Sequence, residues 1–235
     1  MSIPKIIHYV WVGGQEKNAA IRRCMKSWKK ILKDYQIIEW NENNFDLHSN
    51  KFVEEAYKQK KWAFVSDYIR AYVIYHYGGI YLDTDIIVMK NFDTLLNNEA
   101  FVGFENPQYP FTAVFGAIKG HPLTKDILDY YKNLSFEFDP QDEMAKVNTK
   151  IVSDILIKKY GCQINNHEQT LRTNIHVYPD NVLCNPSLNS IAIHVFTGTW
   201  MESKSSWKKN CVMFFKTRIH NRLTLKAYLI IRNLF

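Results

Sequence analysis

The chain predicts a layered α/β domain. Three observations carry that expectation. Strand-like and helix-like segments alternate along the sequence, the order that stacks helices on a sheet. The first strand-like run, residues 5–12, is almost continuously apolar, as a strand covered on both faces requires. With 235 residues, 46% hydrophobic and 23% charged, the chain suffices for one domain with a sizeable core. No repeat, low-complexity segment or interdomain linker interrupts it.

The elements follow in order. After the strand at 5–12, residues 18–33 read as a helix with Ile21, Met25, Trp28 and Leu32 inward. Residues 35–40 form a second strand and 51–60 a helix. Residues 62–77 carry Val65, Ile69, Tyr72, Val73 and Tyr77 close to helical period, and Gly78 supplies the positive φ of a helix end. Strands at 80–82 and 86–88 come next, then strands at 100–104 and 113–119. Pro122 opens a helix to 133. A helix at 147–160 and strands at 175–178 and 191–196 complete the alternation. His121, in G-H-P, reads as structural at a helix entrance.

Four cysteines, Cys24, Cys162, Cys184 and Cys211, match no zinc spacing and are expected as free thiols of a reducing compartment. No secretory pattern opens the chain and no apolar run reaches membrane-spanning length, so a cytosolic protein is the expectation. The charge is uneven. From Met201 onward eight basic residues face one acid, Glu202, so this stretch alone accounts for the formal net charge of +7. Its basic residues are interleaved with aromatic and aliphatic ones. We therefore divide the chain into a domain, 1–203, and a basic apolar helical tail, 204–235. The tail reads as a segment for an anionic membrane surface or a partner, with a terminal helix packed on the core as the other reading. Nucleic acid is not an expected partner, because the charge tracks a strongly apolar stretch.

The chemistry concentrates between residues 66 and 85. Asp83 and Asp85 stand where a short apolar strand ends. Two carboxylates so placed suit a hard divalent cation, which in turn holds phosphate oxygens. A solvated turn is the plainer reading of such a pair. Asp67 and Arg70, three apart, share a helix face. They form either an internal ion pair or a grip on a polar ligand. Trp11, Gly13 and Gly14 end the first strand, where ligands of such sheets bind. Adjacent glycines favour a binding loop over a core tryptophan.

The run A-x-x-S-D-x-x-R followed by Y-G-G-I-Y-x-D-x-D, from Ala63 to Asp85, resembles the sugar-binding region containing the DXD motif that marks family 32 glycosyltransferases. That family is similar to yeast initiating mannosyltransferases and, more distantly, to the glucosylating domain of large clostridial toxins. The opening I-P-K-I-I-H-Y-V-W-V-G-G resembles the family's first strand and loop. The resemblance implies a GT-A fold, Rossmann-like, in one domain. It implies that Trp11 stacks on a nucleobase, with Gly13 and Gly14 approaching the ribose. Asp85 would ligate the metal, Asp83 would serve ribose and metal, and Asp67 with Arg70 would hold the donor sugar and phosphate side. A-I-H-V-F-T-G-T-W resembles a late family segment in which His194 ligates the metal and Trp200 closes over the diphosphate. The implied cofactor is Mn²⁺, with Mg²⁺ second, and the implied donor a UDP-linked hexose. The acceptor would be a glycan or lipid-linked saccharide, and the reaction, with retention, would belong to surface polysaccharide synthesis. Two departures concern the sugar and acceptor side: T-A-V-F-G lacks the family's Asn, and N-T-K-I-V lacks its Gly-Pro. A nucleotide-sugar-binding protein and a metal-dependent phosphohydrolase remain as other classes.

Overall fold

A computed structural model describes residues 2–137, 148–197 and 207–232. Seven strands form one sheet in the order β2-β1-β3-β6-β5-β8-β7. They are β1 (Ile6–Val10), β2 (Gln36–Trp40), β3 (Gly79–Leu82), β5 (Ala100–Gly103), β6 (Val114–Ala117), β7 (Gln169–Thr170) and β8 (Ile175–Tyr178). The β1–β2, β1–β3 and β5–β8 pairs are parallel, while β6 runs against both β3 and β5. The sheet is therefore mixed. Its consequence for function is directional: β1, β2, β3, β5 and β8 all end at the same edge.

Helices α1 (Ala19–Ile31), α2 (Lys51–Lys58), α3 (Trp62–Tyr77), α4 (Pro122–Tyr131) and α5 (Asn148–Tyr160) layer on the sheet. Asn18 caps α1 by accepting the Ala20 and Ile21 N–H groups. Ile21, Trp28 and Leu32 are buried as the period requires, whereas Met25 is half-buried. Helix α3 has the bounds expected, but its apolar face is not a single stripe: Ile69, Ala71, Val73 and Ile74 are all fully buried, and Tyr77 is 49% exposed. A helix buried on most sides is one enclosed by the core. Gly78 and Gly79, at φ +68 and +110, take the chain directly into β3; a Cβ on Gly79 would stand 2.6 Å from the Ile6 carbonyl.

Side chains of β3 alternate between two cores. Tyr81 joins Val65, Ile69 and Phe115 on one face, and Ile80 and Leu82 join Trp28, Phe92 and Leu183 on the other. His8, fully buried, ties β1 to β2 and to the end of α3. Its Nδ1 accepts Trp40 Nε1–H at 3.0 Å, so its Nε2 donates to the Gly78 carbonyl at 2.9 Å.

Beside the main sheet, β4 (Ile86–Val88) pairs antiparallel with β9 (Ala192–His194). α1 holds this ribbon through Trp28 Nε1–H to the Ile86 carbonyl at 2.7 Å. The C-terminal stretch forms α7 (Trp207–Lys216) and α8 (Arg222–Ile231), after a short α6 (Asp180–Leu183). Ile219, Leu225 and Tyr228 pack with Cys24, Ile87, Ile193 and Val195 in a third cluster. So the described part of the basic tail packs against the ribbon. All four cysteines are free, and three are buried. Among the described residues no helix is long and apolar enough to cross a membrane.

Candidate active site at the carboxyl edge of the sheet

The common strand edge gathers residues 11–14 after β1, Asp83 and Asp85 after β3, and Glu105 after β5. Asp83 leaves β3 with its N–H on the Ala113 carbonyl at 3.1 Å. The turn that follows places Asp85 inward: its residue is 9% exposed, whereas the Asp83 side chain is 26% exposed.

Arg70 lies between two carboxylates. Its Nη2 is 3.1 Å from both Asp67 Oδ1 and Asp83 Oδ1, and its guanidinium covers the Tyr81 ring at 4.7 Å. The structure shows the internal ion pair of the two readings. The pair is internal and buried, and it reaches past α3 to position one aspartate of the pair after β3. Burial pushes the Asp67 carboxyl up, and Arg70 opposes that shift.

Asp85 is held from the other side. Its Oδ2 accepts the Thr197 N–H at 2.9 Å and the Thr197 hydroxyl at 3.1 Å, and its Oδ1 lies 3.3 Å from His194 Nε2. Burial would raise this carboxyl, but His194 and Thr197 outweigh it and hold it well below the usual range. His194 is shifted up in return, Asp85 overcoming the penalty of burial. The His194 ring stacks on Phe196, centroids 3.8 Å apart, and Phe196 has φ +62.

Ligand atoms of Asp83, Asp85 and His194 all lie within 4.8 Å of one another. Opposite bonds of just over 2 Å to one ion span a little over 4 Å, so a small inward shift of these side chains brings all three atoms to one ion, and two carboxylates with an imidazole are a donor set for Mn²⁺ or a similar divalent ion. The residues fit the implied metal. The Nε2 of His194 faces the carboxylates, while its buried Nδ1 has no partner among the described residues.

Trp11 is half-buried beside this site, its Nε1–H on the Gln15 carbonyl at 2.7 Å and the Lys17 ammonium 5.0 Å from its ring. It packs against the core cluster of Ile80, Leu82 and Trp28 while part of it stays exposed. Gly13 and Gly14 have φ +88 and +66. A Cβ on Gly13 would strike the Trp62 ring at 2.6 Å, so close packing by Trp62 explains that glycine; Gly14 has open space. The Gly13 N–H donates to Glu42 Oε1 at 2.5 Å. Trp200 lies outside the described residues. His121 is structural as expected: its Nδ1 accepts the Leu123 N–H at 3.1 Å as the cap of α4.

Two residues at this edge escaped the sequence reading. Thr197 follows His194 by three positions, inside the late segment that the resemblance marked, but was given no role there. Glu105 ends β5, and the logic that selected residues 83–85 applies to it equally. Burial raises its carboxyl; His194, Asp83 and Arg70 are its charged neighbours, and the Thr149 hydroxyl donates to it at 3.4 Å. The departure at N-T-K-I-V also borders the site, because Asn148 Nδ2 reaches the Asp67 carbonyl at 3.4 Å.

The fold and this edge together define a GT-A type α/β protein with a DXD site. Residues 19–102 match the family described as glycosyltransferase sugar-binding region containing DXD motif, so the chain carries that region, with Asp67, Arg70, Asp83 and Asp85 inside it. It is similar to inositol phosphoceramide mannosyltransferase 3 of Schizosaccharomyces pombe, 27% identical over 145 residues, 58% of this chain and 39% of that one. An uncharacterized glycosyltransferase of Acanthamoeba polyphaga mimivirus is 25% identical over 232 residues, 92% of this chain and 89% of that one. A mannosyl phosphorylinositol ceramide synthase of Saccharomyces cerevisiae is 30% identical over 152 residues, 56% and 37% of the two chains. The chain thus spans under two fifths of the length of these two yeast relatives. Among solved structures, the PaToxG glycosyltransferase superposes with a TM-score of 0.50 at 17% identity, covering 67% of this chain and 69% of that one, a likeness of fold. Trp11, Glu105 and His194 all fall outside the matched stretch.

Proposed function

We propose that the chain is a metal-dependent glycosyltransferase that moves a hexose from a UDP-sugar to a glycan or lipid-linked acceptor, with retention, in surface polysaccharide synthesis. The observation that carries this reading is the meeting of Asp83, Asp85 and His194 at the strand edge, beside Trp11. In this reading Trp11 covers the nucleobase and Gly14 lets backbone approach the ribose. Asp85, Asp83 and His194 hold Mn²⁺, or Mg²⁺ in its place, and the bound ion neutralises the diphosphate. Arg70 keeps Asp67 and Asp83 in position, and Asp67 offers a carboxylate oxygen to a sugar hydroxyl. Trp200 is assigned to the diphosphate by its motif.

A lipid-linked acceptor is supported by relatives named for inositol phosphoceramide and by one surface. Phe214, Phe215, Leu223 and Ile230 of α7 and α8 are 51%, 38%, 77% and 66% exposed, next to Arg218, Arg222, Lys226 and Arg232. Such a face suits the inner surface of an anionic membrane, each basic residue contributing about 1 kcal/mol there.

The test is calorimetry with UDP and Mn²⁺, followed by a nucleotide-sugar panel with and without acceptors. Asp85→Asn is expected to remove most metal-dependent UDP binding while keeping the side chain's shape. Equal binding by wild type and variant sinks the site assignment. Release of free sugar without transfer favours a hydrolase, and binding without turnover a sensor. For the membrane face, Leu223→Ser with Ile230→Ser is expected to abolish low-salt sedimentation with anionic liposomes; a full chain that ignores them ends that part.

A further inference from the structure

Lys216 ends α7 and points inward. Among the described basic side chains of the C-terminal stretch it alone is buried, at 8% exposure, while Arg222, Lys226 and Arg232 face solvent. Its position is firmly set. Thr217 beside it is buried, and Ile219, Leu225 and Tyr228 lock α7 and α8 onto the ribbon. The Lys216 ammonium stands 4.8 Å from the centroid of the Phe196 ring, the ring that stacks on His194. Lysine, phenylalanine and histidine thus lead from α7 to the Asp83, Asp85 and His194 cluster.

Among the described residues Lys216 has no carboxylate within ion-pairing distance and no hydrogen bond; the Phe196 face is its partner. A buried ammonium without an anion is costly, and burial draws this one down to about 8, with Cys184 and then Asp85 opposing the shift. A cation so placed, beside three ligands for a divalent ion, complements an anion with more charge than one metal ion neutralises.

We propose that Lys216 binds the diphosphate of the nucleotide donor, so that the C-terminal helices complete the donor site. This rests on the metal-dependent donor reading above, and the ligand class is an Mn²⁺-bound pyrophosphate group, whichever nucleoside carries it.

The experiment measures binding of pyrophosphate and of UDP, each with Mn²⁺, to wild type, Lys216→Met and Lys216→Arg, with melting temperature as the check of folding. Removing a charge-assisted hydrogen bond predicts an affinity loss of about 10- to 100-fold for both ligands in Lys216→Met, with most affinity kept in Lys216→Arg. Equal affinities in wild type and a folded Lys216→Met overturn the inference and leave the donor site standing. Wild type that binds pyrophosphate and not UDP keeps the inference and corrects the nucleoside. Wild type that binds neither overturns the inference together with the donor reading. Should Lys216→Met fail to fold, the wild type still decides. Mn²⁺-pyrophosphate should shield Lys216 from acetylation, read by mass spectrometry; unchanged labelling at saturating ligand overturns the proposal.

Discussion

The two aspartates after β3 are separated by a single residue, yet different parts of the chain hold them. Asp83 is fixed from α3, by an arginine 13 residues earlier that also carries Asp67. Asp85 is fixed from β9 and the turn after it, by Thr197, 112 residues later, and by His194. The α3 side satisfies its charges within some twenty residues of sequence. The β9 side exists only once the ribbon has closed and α7 and α8 have covered it. One half of the site is thus a product of helix geometry, the other of long-range packing, and they should fail differently.

The largest effect is expected from removing the β9 side's support. Truncation before Ser205 strips the cover from Ile87, Ile193 and Val195, all of which are 1% exposed or less. No soluble monomer should appear in gel filtration. A folded, UDP-binding product would mean that the α3 side suffices and that the tail is an appendage.

Next is the α3 side. Arg70→Ala leaves Asp67 and Asp83 without their shared cation, and a loss of about 3–5 kcal/mol in urea unfolding is expected for breaking a buried pair from one side. The double variant Asp67→Leu with Arg70→Met should lose less, because the pair is replaced as a unit. If the double variant loses as much as Arg70→Ala, the triad contributes more than mutual neutralisation.

The smallest effect concerns the frame that both sides share. Burial lowers the His8 imidazole to about 4, its bond to Gly78 opposing the shift. An unfolded chain takes up this proton near pH 6.5, before the folded one does. The stability attached to neutral His8 is therefore full above pH 6.5 and lost as pH falls toward 4, about 3 kcal/mol at 1.36 per pKa unit. Unfolding at pH 7.5 and 4.5 should show a larger pH-dependent loss in wild type than in His8→Gln. Equal losses would remove His8 from the account.

Much of the α3 side was legible in the sequence. The helix Trp62–Tyr77 has the bounds its periodicity predicts, Gly78 has the positive φ expected of it, and Asp83 and Asp85 follow the strand end. These are signals of period, turn chemistry and spacing, each written within a few residues. Which reading of Asp67 and Arg70 applied was not legible, because the bridge to Asp83 depends on where α3 lies over β3.

The sequence by itself determined the layered α/β class, the order of elements through β3, and the placing of Trp11, Asp83 and Asp85 at the ends of two neighbouring parallel strands. Those follow from backbone preference and hydrophobic period, which act locally. Only the tertiary structure decided that β6 runs against its neighbours, that Glu105 joins the same edge, that Thr197 holds Asp85, and that the basic tail turns one lysine inward while packing on the ribbon. Each of these depends on which surfaces meet between separate elements of the chain. Burial and charge pairing settle such contacts through space, and no spacing within the sequence records them.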